Sequence, residues 1–160
     1  MTTIVYKDGL LAADGRVTAD FTIISENYTK LYAIRGETDA YVIGLAGDTQ
    51  EFGHFTYWAT QDFCLSCFPT LPDQSSVIEN LSALVIRQSN SNLYLFEGKG
   101  FAQLPEKGVA IGSGMDAAMA GLALGLNAEE CVELAATIDA ATNDTITTWN
   151  VADTFNSLEI

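Results

Sequence analysis

A chain of 160 residues, 48% of them hydrophobic, is the size of one domain and can bury a substantial core, so 1–160 reads as a single unit. Twenty-one acidic against seven basic residues give a net charge of −14, which repels phosphate backbones and anionic bilayers and disfavours nucleic-acid and peripheral membrane binding. Three cysteines make no complete disulfide framework, and the start MTTIVYKDG lacks a basic then apolar leader, so a reducing, cytoplasmic compartment is the simpler reading.

Ile4, Val5 and Tyr6 form a short apolar strand, Asp8-Gly9 supplies a hairpin turn, and Leu10 to Ala13 returns. A second hairpin runs up from Lys30 to Ile34, turns at Arg35-Gly36-Glu37-Thr38 and comes back over Tyr41 to Ala46, whose unbroken apolar run marks a central strand. Asp48 or Thr49 caps a helix predicted to run to about Cys67, with Phe52, Phe55 and Trp58 on one face and Pro69 and Pro72 as stops. Ser75 to Leu81 reads as a short helix or a turn. Ala83 to Arg87, Leu93 to Phe96, Phe101 to Leu104 and Val109 to Ile111 then make an antiparallel meander broken by Asn/Ser, Gly-Lys-Gly and Pro-Glu-Lys-Gly turns. Two helices follow, one striped by Met115, Met119 and Leu122, the other capped by Asn127 and striped by Cys131, Leu134, Ala135 and Ile138. A last strand, Thr145 to Val151, precedes a short tail. Without βαβ alternation or repeats, this order fits an α+β sandwich.

Two stretches invite other readings. Gly108 to Leu126 is apolar and contains Gly121-xxx-Gly125, but Asp116 interrupts it and no basic or aromatic residues flank it, so it reads as a packed helix and not a membrane span. Cys64 and Cys67 form a CxxC. Cys131 and the lone His54 do not stand at zinc-finger spacing, no metal site is expected, and the pair reads as buried structural thiols.

Chemistry concentrates at the N-terminus. A threonine hydroxyl holds its proton too tightly to be a good nucleophile, but if Met1 is removed the Thr2 α-amine can serve as its own general base. With a reference pKa of about 7.7 that amine is substantially neutral near pH 7 to 8, whereas a lysine at about 10.4 is not.

Thr2-Thr3-Ile4-Val5, Ala13-Asp14-Gly15-Arg16, Lys30, Gly44-Leu45-Ala46-Gly47, Ala110-Ile111-Gly112-Ser113-Gly114 and Asp139-xx-Thr142-xxx-Ile146 fall in one order along nearly the whole chain. In these the chain resembles the proteasome-class N-terminal-nucleophile (Ntn) hydrolases, most closely the bacterial HslV (ClpQ) peptidase. The resemblance implies a four-layer αββα sandwich of two antiparallel sheets and a threonine peptidase that needs no cofactor. Carried over, Thr2 is the nucleophile, Lys30 favours its ionised form, Asp14 pairs with Lys30, and the Gly47 N–H is the oxyanion donor. Ser113, Asp139 and Thr142 orient the N-terminal amine. Val17, Tyr28, Leu45 and Thr49 line the pocket for the residue before the scissile bond, implying a modest apolar preference. Thr18 and Thr49 align substrate as an added strand. The implied partners are a polypeptide substrate, a homo-oligomeric ring and an HslU-like ATPase.

The chain departs from that pattern in a shorter first hairpin, in a Pro72 to Leu81 stretch too short for the family's long second helix, and in Asn143-Asp144 where proteasome subunits often have Gly-Gly. Two readings compete with the peptidase: a catalytically inactive structural or assembly subunit, for instance of a viral particle, and an Ntn amidase acting on small amides.

Overall fold

The computed structural model describes residues 2–73, 75–105 and 107–158; the expectations for Met1, and for Glu106 in the Pro-Glu-Lys-Gly turn, lie outside them. One antiparallel sheet has the order β10 (Val109–Gly112), β1 (Thr3–Lys7), β2 (Leu10–Asp14), β11 (Ile146–Asn150). The other runs β5 (Leu31–Arg35), β6 (Ala40–Gly47), β7 (Leu81–Arg87), β8 (Leu93–Glu97), β9 (Phe101–Leu104). A short hairpin of β3 (Val17–Ala19) and β4 (Thr22–Ser25) forms a separate two-stranded sheet.

Period-two alternation generates the layers. Ile4, Leu11, Leu31, Val42, Leu84 and Ile86 point between the sheets into a common core. Gly44 faces the same way, and a Cβ there would meet the Ile4 side chain at 2.8 Å, so glycine lets the sheets pass closely. The intervening residues Val5, Ala12 and Ala110 face outward onto helices α2 (Met115–Ala123) and α3 (Ala128–Ile138), meeting Ala118, Cys131, Val132 and Ala135. Small side chains on both surfaces bring these helices down onto the sheet. On the opposite outside, Tyr41, Ile43, Leu45, Val85 and Phe96 pack against Phe52, Phe55 and Trp58 of helix α1 (Phe52–Thr60). The result is an αββα stack. Helix α4 (Val151–Leu158) closes the inter-sheet core with Val151 and Phe155.

Asn127 caps α3 through a full capping box with Glu130, and Asp48 accepts from Gln50 N at the turn that leads into α1. Several expectations are corrected. Helix α1 stops at Thr60, because Asp62 and Phe63 adopt φ of 52° and 54° and turn the Phe63 ring back onto Tyr41 and Trp58, each at 5.0 Å. The released Cys64 and Cys67 are therefore exposed, not buried; of the three thiols only Cys131 is interior. The buried face of α2 is Ala118 and Gly121, while Met115 and Met119 are exposed, because α3 approaches too closely for anything larger. Ile138 likewise points to solvent from the end of α3. Of the two readings of Ser75 to Leu81 the helix is not formed; the stretch runs as bends, and the Glu51 carboxylate accepts from its Glu79 and Asn80 N–H groups. The C-terminal tail folds as α4. No helix among the described residues is long and apolar enough to cross a membrane.

Candidate active site

The β1–β2 register, Ile4 opposite Ala13, brings Asp14 beside the first residues of the chain. Lys30 comes from the other sheet, immediately before β5, where its carbonyl accepts from Leu45 N at 2.9 Å. Thr2, Asp14 and Lys30 thus meet at the end of the sandwich. All are nearly inaccessible, at 2%, 2% and 3% exposure, so each polar atom needs a partner. The Thr2 hydroxyl donates to Asp14 Oδ1 at 2.7 Å and accepts from Lys30 Nζ. Lys30 Nζ also donates to Asp14 Oδ1 at 2.8 Å and to the Arg16 carbonyl at 2.6 Å. Asp14 is saturated: Oδ1 additionally accepts Thr3 N at 3.0 Å, and Oδ2 accepts Arg16 N and Asn143 N, each at 3.1 Å. Burial holds the Lys30 ammonium below the ordinary lysine value, with the Asp14 carboxylate and then Asp139 opposing that shift.

A second cluster flanks Thr2 from the helix side. Gly112, opposite Thr3 in β10, has φ +97°, and a Cβ on it would fall onto the Thr2 carbonyl, so only glycine lets the strand end this close. Ser113 follows it. Its hydroxyl donates to Asp139 Oδ2 at 2.5 Å and lies 3.4 Å from the Thr2 carbonyl oxygen. Asp139 caps the C-terminus of α3 and also accepts from Thr142 Oγ1 at 2.7 Å and Ala141 N at 3.1 Å. Since the Thr142 proton is committed to Asp139, the 2.7 Å contact between Thr3 and Thr142 hydroxyls is donated by Thr3. Burial works to raise the Asp139 carboxyl, but the hydrogen bonds from Ser113 and Thr142 prevail and hold it below its usual range.

Gly47 ends β6 with φ +116°, where a Cβ would collide with the Asn80 carbonyl. Together with Thr2, Lys30, Val17, Thr18, Thr49, Phe52 and Asn80 it lines a cavity of about 430 Å³. Two of the expected pocket residues are elsewhere. Leu45 is wholly buried between β6 and α1, because strand alternation turns it away from the cavity. Tyr28 lines a separate cavity with Asn27, Thr145 and Trp149, and its ring meets Phe52 edge-on at 6.2 Å. Ala19 and Ile24 of the β3–β4 hairpin take part in the wall instead, a contribution with no clear sequence signal because that hairpin has little apolar alternation.

In the sequence Asn143 stands out only as a departure from the family pattern. Besides its N–H to Asp14, its side-chain oxygen accepts Gly15 N at 2.9 Å, and its amide donates to both the Glu26 carbonyl and the Glu26 carboxylate at 2.7 Å. That bond is the main influence lowering the Glu26 carboxyl. Among the described residues no group of three or more His, Cys, Asp or Glu side chains could hold a metal ion.

No family profile matches the chain, and no curated protein matches it. Solved structures do. Thiobacillus denitrificans BPH in complex with epoxomicin superposes with a TM-score of 0.66 at 18% identity, covering 92% of this chain and 96% of that one. Eukaryotic HslV from Trypanosoma brucei superposes with a TM-score of 0.61 at 21% identity, covering 92% and 97%. At these identities the likeness speaks to architecture, and it agrees with the layers and strand orders above. The chain has the fold of HslV, a four-layer αββα sandwich.

Proposed function

We propose that this protein is a threonine peptidase of the HslV and proteasome type, with Thr2 as its nucleophile once the peptide bond before Thr2 is cut. One observation carries the reading: the buried Thr2 hydroxyl is hydrogen-bonded at once to Lys30 Nζ and Asp14 Oδ1. A hydroxyl needed only for packing would not require a desolvated ion pair beside it. The freed α-amine, with a reference pKa of about 7.7, takes the proton from Oγ1 as that oxygen attacks the scissile carbonyl. Lys30 stabilises the developing alkoxide, Asp14 keeps the ammonium charged and oriented, and the Gly47 N–H receives the oxyanion. Collapse of the tetrahedral intermediate breaks the C–N bond, and the amine passes its proton to the leaving nitrogen. Water then hydrolyses the Thr2 ester by the same route. Ser113, Asp139 and Thr142 hold the amine in position.

Val17, Ile24 and Phe52 give the cavity an apolar wall, which supports a modest preference for apolar side chains. Thr18 and Thr49, both in its lining, would pair with the substrate backbone as an added strand. The substrate is a polypeptide, and the working unit is a homo-oligomeric ring in a reducing, cytoplasmic compartment, served by an HslU-like ATPase; sedimentation of the processed protein tests the ring.

Intact mass of the purified protein tests the cleavage before Thr2. Retention of that bond overturns self-activation. Because BPH was solved with epoxomicin, that compound is the first probe: the processed protein should gain one epoxomicin mass and Thr2→Ala none. Equal gain by both defeats the assignment of Thr2.

A further inference from the structure

We propose that Cys64 and Cys67 form a reversible disulfide by exchange with low-molecular-weight disulfides, a modification site separate from the Thr2 cavity. Both thiols are exposed, on a turn where Cys67 N donates to the Cys64 carbonyl at 3.0 Å. An i to i+3 hydrogen bond holds the two Cα atoms about 6 Å apart, inside the span a disulfide bridges without backbone movement. The side chains also converge: the Ser66 hydroxyl lies 3.0 Å from Cys64 Sγ and 3.9 Å from Cys67 Sγ.

The turn is held against the body of the molecule. Trp58 Nε1 donates to the Cys64 carbonyl at 2.8 Å, and the Phe63 and Phe68 rings meet the Trp58 indole edge-on at 5.0 and 4.8 Å. Exposure and anchoring together leave the thiols reachable yet fixed beside one another, which favours ring closure over bridging to a second molecule. Of the pair, Cys64 is the attacking thiol. The Ser66 hydroxyl, the Cys67 thiol and the Ser66 and Cys67 N–H groups lower its pKa by hydrogen bonding to the thiolate.

The Cys64 thiolate attacks one sulfur of the small disulfide, breaking its S–S bond and releasing one thiolate. Deprotonated Cys67 then attacks Cys64 Sγ and expels the second. The dithiol loses two electrons and two protons, and the small disulfide becomes two thiols. A net charge of −14 favours a neutral oxidant over an anionic one.

The full chain is treated with 2-hydroxyethyl disulfide, quenched in acid, denatured and alkylated. The expected product is a monomer lighter by two hydrogens that takes one alkyl group, at Cys131, and recovers all its thiols with dithiothreitol. The new disulfide beside Trp58 should quench its emission. Cys67→Ser should stop at a stable mixed disulfide on Cys64, and Cys64→Ser should react more slowly than Cys67→Ser. Mixed disulfides persisting on both cysteines of the unaltered protein, mostly intermolecular dimers, or three alkylatable thiols after exposure would each overturn the proposal. The Ser variants lie on an exposed turn and keep their fold. Since no step involves Thr2, Thr2→Ala should oxidise like the parent, so this result stands or falls apart from the peptidase reading.

Discussion

Asp14 and Lys30 are almost wholly buried and draw hydrogen bonds from four separate segments of chain, whereas Ser113 and Asp139 are half-buried on the loops that follow β10 and α3. Both clusters hold a carboxylate close to Thr2. They differ in what happens to charge. The first encloses a cation and an anion together, and the Asp14 carboxylate opposes the loss of charge that burial imposes on Lys30. The second surrounds one carboxylate with neutral hydroxyl and amide donors, so its charge is stabilised locally and without a countercharge in contact. Removing a member should therefore be far more damaging in the first cluster than in the second.

The largest effect is expected from Lys30→Ala, which leaves Asp14 buried without its cation and should cost about 3–5 kcal/mol of stability, measured by urea unfolding. Adding Asp14→Leu to that variant should recover only part of the loss. The buried N–H groups of Thr3 and Asn143 would then lack an acceptor, at about 1–3 kcal/mol each. Full recovery would show that the carboxylate serves only the lysine. Next comes Asn143→Ala, which strips the tethers to Gly15 and Glu26 and should lower stability by about 1–3 kcal/mol; turnover of a fluorogenic peptide should fall further than Thr2 adduct formation does.

Smaller effects lie in the pH profiles. The Asp139 carboxyl is held below its unfolded value, so its stabilisation is present above the ordinary carboxylate range and is lost as pH falls through the folded value. Asp139→Asn should flatten that acid limb of unfolding midpoint against pH. Lys30 is also held below its unfolded value, but for a lysine the charged form is the disfavoured one. Its cost is in force below the folded value and is relieved as pH rises toward the ordinary lysine value, where the unfolded chain still binds the proton. Lys30→Met should remove this alkaline rise. An unchanged alkaline limb would mean that Asp14 fully compensates the burial of Lys30.

Much of this was legible from sequence because it is written in local pattern. Alternation in β1 and β6 gives the two sheet faces, and Asn127 gives the start of α3. Thr2, Asp14 and Lys30 stand near strand ends in the first fifth of the chain, where hairpin pairing joins the first two and stacking of the second sheet adds Lys30. What escaped depends on geometry that pattern does not encode. The left-handed pair Asp62 and Phe63 ends α1 early and exposes two cysteines. Met115 and Met119 looked like a buried stripe, but the close approach of α3 leaves room only for Ala118 and Gly121. Resemblance places Leu45 and Tyr28 in the pocket, and only the pleat and the path of the chain between β4 and β5 reveal which way they face. The hairpin β3–β4 was missed because exposed Phe21, Ile23 and Ile24 give no buried face to betray it.

The bond from Asn143 to Asp14 joins residues 129 positions apart. A ribosome delivers the chain from its N-terminus, so Thr2, Asp14 and Lys30 emerge long before the segment that completes their surroundings. Until Asn143 arrives and β11 pairs with β2, Asp14 lacks one of its donors and the Gly15 turn lacks its tether. A nascent or C-terminally truncated chain thus carries the hydroxyl and the ion pair without the frame that fixes them. The arrangement ties completion of the site to synthesis of the segment that carries Asn143 and β11.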